Sequence, residues 1–117
     1  MTESQWEAVK NEMVPVMSRT AANEDTISYS DLMKQVTTVR IGPDDPAVGS
    51  LLGQISEDED AAGRGMLSVV VVHKTGDKMP GPGFFALAET LGRDTSDTVE
   101  CWVSELNWVH KYWRSAT

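Results

Sequence analysis

Apolar residues recurring at helical spacing, sharp helix-start signals, and a valine run that empties into a glycine- and proline-rich loop predict a mostly helical α+β fold. The expected order is three helices, one strand, a loop and two more helices. That is the arrangement of a winged helix-turn-helix-like single domain with a small sheet and a long C-terminal helix. Residues 1–26 form the N-terminal helix, 27–92 the helix-helix-strand-wing unit and 93–117 a C-terminal amphipathic helix. A chain of 117 residues is long enough for one core and too short for two.

In SQWEAVKNEMVPVMSR, residues Trp6, Val9, Met13, Val16 and Met17 share one helical face, and Pro15 predicts a kink or a restart within it. ISYSDL carries a capping-box pattern, Ser28 with Asp31, flanked by Ile27 and Leu32 in staple positions. A short helix to about Gln35 or Val36 follows. TTVRIG reads as extended. Asp45 then caps a helix with Pro46 at its first position, and Val48, Leu51, Leu52 and Ile55 form its buried stripe. Glu57 to Asp60 reads as a solvated acidic run.

Met66 to Lys74, with its four valines, reads as a central strand buried on both faces. The loop after it supplies the expected wing residues Gly76, Pro80, Gly81, Pro82 and Gly83. Its glycines permit positive φ and its prolines limit the entropy lost on ordering. A short helix begins near Phe84 and stops at Gly92, with Phe84 and Phe85 pinning the wing to the core. In the last helix Val99, Trp102, Val103, Leu106, Val109 and Trp113 fall on one side, and Cys101, Trp108 and Tyr112 on the other.

Residues 27–90 resemble the DNA-binding domain of the alkylguanine-DNA alkyltransferases and the alkyltransferase-like proteins. Ser28-Tyr29-Ser30-Asp31-Leu32-Met33 is similar to that family's Thr-Tyr-Gly-Glu-Leu-Ala helix start. Pro46-Ala47-Val48-Gly49-Ser50-Leu51-Leu52-Gly53 is similar to its Arg-Ala-Val-Gly-x-Ala-Leu-Gly helix, and VVVVHKTGDKMPGPG to its valine strand and Gly-rich wing. The resemblance implies the winged-helix fold and a capacity to touch DNA. Two departures bear on activity: Pro46 stands where the family's helix carries an inserting arginine, and Met66 to Ser68 hold no cysteine where the reactive Pro-Cys-His-Arg aligns. Alkyl transfer needs an activated thiolate, so it is not expected here.

The net charge of −8 is uneven. Residues 1–60 hold four Lys/Arg against twelve Asp/Glu, whereas 61–93 hold Arg64, Lys74, Lys78 and Arg93 against Asp77 and Glu89. An acidic body discourages general nucleic-acid binding, and the start of the 45–56 helix offers Asp44 and Asp45 instead of basic residues. Two readings follow. In the first, the chain is a non-enzymatic module that binds a protein partner or a second copy through Trp108, Tyr112 and Cys101, as an acidic regulator or inhibitor. In the second, it is a DNA-binding regulator whose Arg64, His73, Lys74 and Lys78 meet phosphates or another anion. No catalytic residue is assigned, His73 lacking a partner for acid–base work and His110 reading as a core-edge residue. No cofactor and no metal ligand set is expected, the EDED run lacking the layout of a calcium loop. A lone cysteine and the lack of a signal peptide or membrane-length apolar run predict a cytoplasmic chain without membrane contact.

Overall fold

The computed structural model describes residues 1–116. Helix α1 spans Glu3–Ala22, strand β1 Ile27–Ser28, helix α2 Tyr29–Lys34 and helix α3 Pro46–Ala61. A 3₁₀ turn at Leu67–Val70 leads into strand β2, Val71–Val72, and helices α4, Pro82–Thr90, and α5, Thr98–Ala116, complete the chain. The fold is therefore mostly helical, with a two-stranded parallel sheet pairing Ile27 with Val71 and Ser28 with Val72, and it ends in a long helix. No helix is long and apolar enough to cross a membrane among the described residues.

The helix starts follow their sequence signals. Thr2 and Gln5 close a reciprocal capping box at α1, and Ser28 Oγ accepts the Asp31 N–H at α2. Asp45 accepts the Ala47 N–H ahead of Pro46 at α3. Asp97 Oδ1 accepts the Glu100 N–H in the first turn of α5. Helix α1 runs on through Pro15, which lies on its exposed face, while Val9, Met13, Val16 and Met17 are buried.

The segment expected as one strand from Met66 to Lys74 is shorter and differently shaped. Its valines are buried on every side as expected, Val69 to Val71 being fully enclosed, yet most of the run is a 3₁₀ turn. The backbone hydrogen bonds give the reason. The Met66 N–H goes to Glu105 Oε2 at 2.8 Å, the Ser68 N–H to Ser56 Oγ at 3.0 Å, and the Val69 carbonyl accepts the Trp102 indole N–H at 3.2 Å. Side chains of α3 and α5 satisfy this backbone, so no ladder is needed beyond the two residues facing β1. Helices α1, α3 and α5 all pack on this turn, which makes it the hub of the core.

Two further expectations change. TTVRIG is irregular, and it is held by a carboxylate instead of a ladder. Glu12 on α1 accepts from the Thr37 N–H (2.9 Å), the Thr37 hydroxyl (2.7 Å) and the Thr38 N–H (3.2 Å), while Arg40 Nη1 donates to the Val36 carbonyl just past α2. The EDED run is not wholly solvated. Glu59 is buried and paired with Arg64, and Asp60 is half-buried and paired with Arg93.

The hydrogen bonds to Glu12, chiefly from the Thr37 N–H, hold its carboxyl at about 2 against an ordinary 4.5. Between those values the folded carboxyl binds fewer protons than the unfolded one, so stability rises with pH across this window. The contribution is complete above pH 4.5 and is lost as pH falls toward 2. Urea titrations at a series of pH values should show a steeper acid decline for the wild type than for Glu12→Gln. Parallel acid limbs would contradict the tie.

Candidate functional site

The orientation of α5 decides which of its residues face solvent, and a buried ionic cluster sets that orientation. Glu105, only 6% exposed, accepts the Met66 N–H and both Nε (3.0 Å) and Nη2 (3.0 Å) of Arg93. Arg93 also donates from Nη2 to Asp60 Oδ1 at 2.6 Å, which joins the end of α3 to the segment before α5. Donation to Asp60, and then to Glu105, raises the Arg93 pKa and keeps the guanidinium charged. An arginine shared by two carboxylates, one of them also capping a buried N–H, has little freedom to turn.

With Glu105 drawn inward, the buried stripe of α5 is rotated from the one expected. Cys101, Glu105 and Val109 are buried, with Trp102, Leu106 and Trp113 packed beside them against the core. Val99 and Val103, expected inside, lie exposed. Cys101, expected on the partner face with Trp108 and Tyr112, is 6% exposed and does not belong to that face. Burial pushes its thiol pKa up, and the neighbouring Glu105 carboxylate adds to the effect, so it is a packing residue and a poor nucleophile.

Trp108 and Tyr112 do face solvent, Trp108 at 58% and Tyr112 at 37% exposure. Together with Lys111, Ser115 and Ala116 they line one wall of an open groove of about 600 Å³ whose other wall includes Gly63. Their spacing of three, four, seven and eight residues from Trp108 places all of them on one helical face. The Gly63–Gly65 turn comes close to the helix. Gly65 has φ of +82°, and a Cβ there would stand 3.0 Å from Trp108 Cδ1 and from Val109 Cγ2. Glycine at 65 is thus required both by conformation and by the approach of the Trp108 ring. Arg64, between the two glycines, pairs with Glu59 and lies near Tyr112, and the Glu59 hydrogen bond raises its pKa. It was expected as an anion contact beside the wing; the structure instead pairs it with Glu59 on the Tyr112 side of α5. Gly63 and Lys111 were not singled out from sequence, although a Gly-Arg-Gly after a helix end and the period through Trp108 carry the signal.

The loop from His73 to Gly81 forms a second surface. His73, Lys74, Thr75, Gly76, Asp77 and Lys78 are all exposed. The base of the loop is held in three ways. The His73 N–H donates to the Met79 carbonyl at 3.0 Å, the Gly81 N–H donates to Tyr29 Oη at 2.8 Å, and the Tyr29 and His73 rings pack 5.0 Å apart. Pro80 is buried. Gly76 takes a φ of +75° and Lys78 one of +54°, a conformation that non-glycine residues seldom adopt. Pro82 and Gly83, expected in the wing, instead open α4, with Pro82 as its first residue and Phe84 buried against the core. His73, Lys74 and Lys78 therefore share one loop, and no carboxylate pairs with either lysine among the described residues. Beside its base lies a mainly apolar cleft of about 270 Å³ between α3 and α4, lined by Tyr29, Gly49, Gly53, Ser68, Phe84 and Leu87 among others.

His110 Nε2 lies 2.9 Å from the Asp25 carbonyl oxygen, at the edge of the α1–α5 packing. Among the described residues no three His, Cys, Asp or Glu side chains converge in a way that could hold a metal ion.

Replacing Arg93 by methionine leaves Glu105 buried and short of two donors. Arg93→Met should cost about 3 kcal/mol in urea or thermal unfolding, whereas Lys34→Met, which breaks only the exposed pair with Asp31, should change stability by under about 0.5 kcal/mol. Equal effects would contradict a structural role for the cluster. Comparison of the chain with protein-family models, with curated proteins and with solved structures finds no match.

Proposed function

We propose that this chain is a non-enzymatic, winged-helix-like interaction module whose partner is a protein docked on the α5 face. The observation that carries this reading is Trp108: a large aromatic ring, 58% exposed, braced from beneath by Gly65 and followed one turn on by Tyr112. Tryptophan and tyrosine contribute disproportionately to protein interfaces, and a ring already held in place loses little entropy when a partner covers it. The acidic body of the chain, at a net −8, suits a regulator or inhibitor that avoids nucleic acid in general. The winged-helix description rests on the order of α2, α3, the valine segment, the loop and α4; the loop closes on Tyr29 instead of on a second strand.

A second reading has its own observation. His73, Lys74 and Lys78 stand together on an exposed loop with a fixed base, the form in which a wing meets a DNA phosphate backbone. Against it, the exposed start of α3 bears Asp44 and Asp45.

A photocrosslinking residue separates the two. With benzoylphenylalanine in place of Tyr112, extract of the native host should yield a protein adduct that excess unlabelled wild type suppresses and Trp108→Ala does not. The same probe in place of Lys74 should yield none. Nucleic-acid adducts at position 74, with nothing at position 112, would establish the second reading and remove the first.

A further inference from the structure

Among the described residues, the groove beside Trp108 is lined by no acidic residue and holds Lys111, and this bears on the chemistry of its occupant. From Leu106 to Thr117 the chain contains no Asp or Glu, and it carries Lys111 and Arg114. Lys111 lies in the groove with Trp108 and Tyr112, and it forms no ion pair among the described residues. Arg64, between Gly63 and Gly65, lies near Tyr112 with its guanidinium paired to Glu59, and Arg114 lies one turn further along α5, where it meets Glu24. Trp108, Tyr112 and Lys111 thus form an aromatic patch with one cation unpaired among the described residues, in contrast to the exposed Asp44 and Asp45 ahead of α3 and Glu57 and Asp58 on it.

We infer that this groove binds an acidic protein segment bearing one large apolar side chain, which sits on Trp108 and Tyr112 while a neighbouring carboxylate faces Lys111. The inference rests on the docking face proposed above and adds the identity of the partner class. The apolar anchor follows from the groove, whose walls of aromatic ring, glycine and alanine offer area and few hydrogen bonds. The acidic flanks follow from charge complementarity, which adds association rate and selectivity to what the anchor supplies. A basic segment would be repelled at Lys111 and drawn to α3 instead. A nucleic-acid strand would extend beyond the groove onto the acidic body, whereas a short segment with a few carboxylates ends before reaching it.

The test is selection of a random peptide library displayed on phage against the full-length chain, with enriched peptides measured by fluorescence anisotropy. Peptides rich in Asp and Glu around a Leu, Phe or Trp should emerge. Trp108→Ala should weaken them about tenfold or more, and Lys111→Glu should weaken them while improving any basic peptide. Both positions are exposed, so circular dichroism of the variants should match the wild type. Basic or neutral winners that still depend on Trp108 would overturn the acidic partner and leave the docking face standing. Winners indifferent to Trp108 would overturn both. A dimer in sedimentation that Trp108→Ala disperses would assign the groove to a second copy and overturn the inference. Trp108-dependent binding of a labelled oligothymidine in preference to the peptides would do the same.

Discussion

One carboxylate organises this molecule. Glu105 sits almost out of water and must be satisfied there, because an unpaired buried charge is among the costliest defects a fold can carry. Its partners come from two separated parts of the chain, the Met66 N–H at the entrance to the valine turn and the Arg93 guanidinium ahead of α5. Arg93 in turn reaches Asp60 on α3. The cluster therefore fixes three things together: where the valine turn begins, where α3 ends and how α5 is rotated. The cluster is an expensive way to gain stability, and its clearer return is a single orientation for a helix that has apolar residues on more than one side.

That rotation explains what could and could not be seen in the sequence. Helix starts were legible because capping is local: Ser28, Asp45 with Pro46, and the Gly92 stop all appear where short-range chemistry puts them. The inner face of α1 was legible because its apolar period is unbroken. The valine segment was legible as buried and not in its shape, since a short apolar run fits a strand and a 3₁₀ turn equally well. Its shape depends on Ser56, Trp102 and Glu105, residues 12 to 39 positions away that satisfy its backbone. The face of α5 was legible in part: Trp102, Leu106, Val109 and Trp113 lie inward as expected, whereas Val99 and Val103 face out and Cys101 is buried, for a related reason. Hydrophobicity alone ranks Val99 and Val103 as inside and Glu105 as outside, and the Met66 N–H together with the ion pair to Arg93 reverses that order.

The candidate surfaces divide in the same way. Trp108 and Tyr112 could be picked out from the sequence as a second aromatic stripe, and they are exposed. Lys111 and Gly63 joined them only once the turn after α3 was placed against α5. The cations expected to act together are split, Arg64 paired with Glu59 near Tyr112 and His73, Lys74 and Lys78 on the loop held by Tyr29. Sequence proximity to a loop said nothing about that division, because Arg64 is claimed by a carboxylate five residues before it on α3.

The rotation of α5 is the point on which the proposed interaction surface stands, and tryptophan indole hydrogen exchange followed by NMR measures it most directly. Trp102 donates its indole N–H to the Val69 carbonyl and should exchange slowly, as should the buried Met66 amide. Trp108, exposed and without an acceptor among the described residues, should exchange at the rate of a free indole. A protected Trp108 beside a rapidly exchanging Trp102 would mean that α5 turns its aromatic face inward, and the proposed docking surface would not exist.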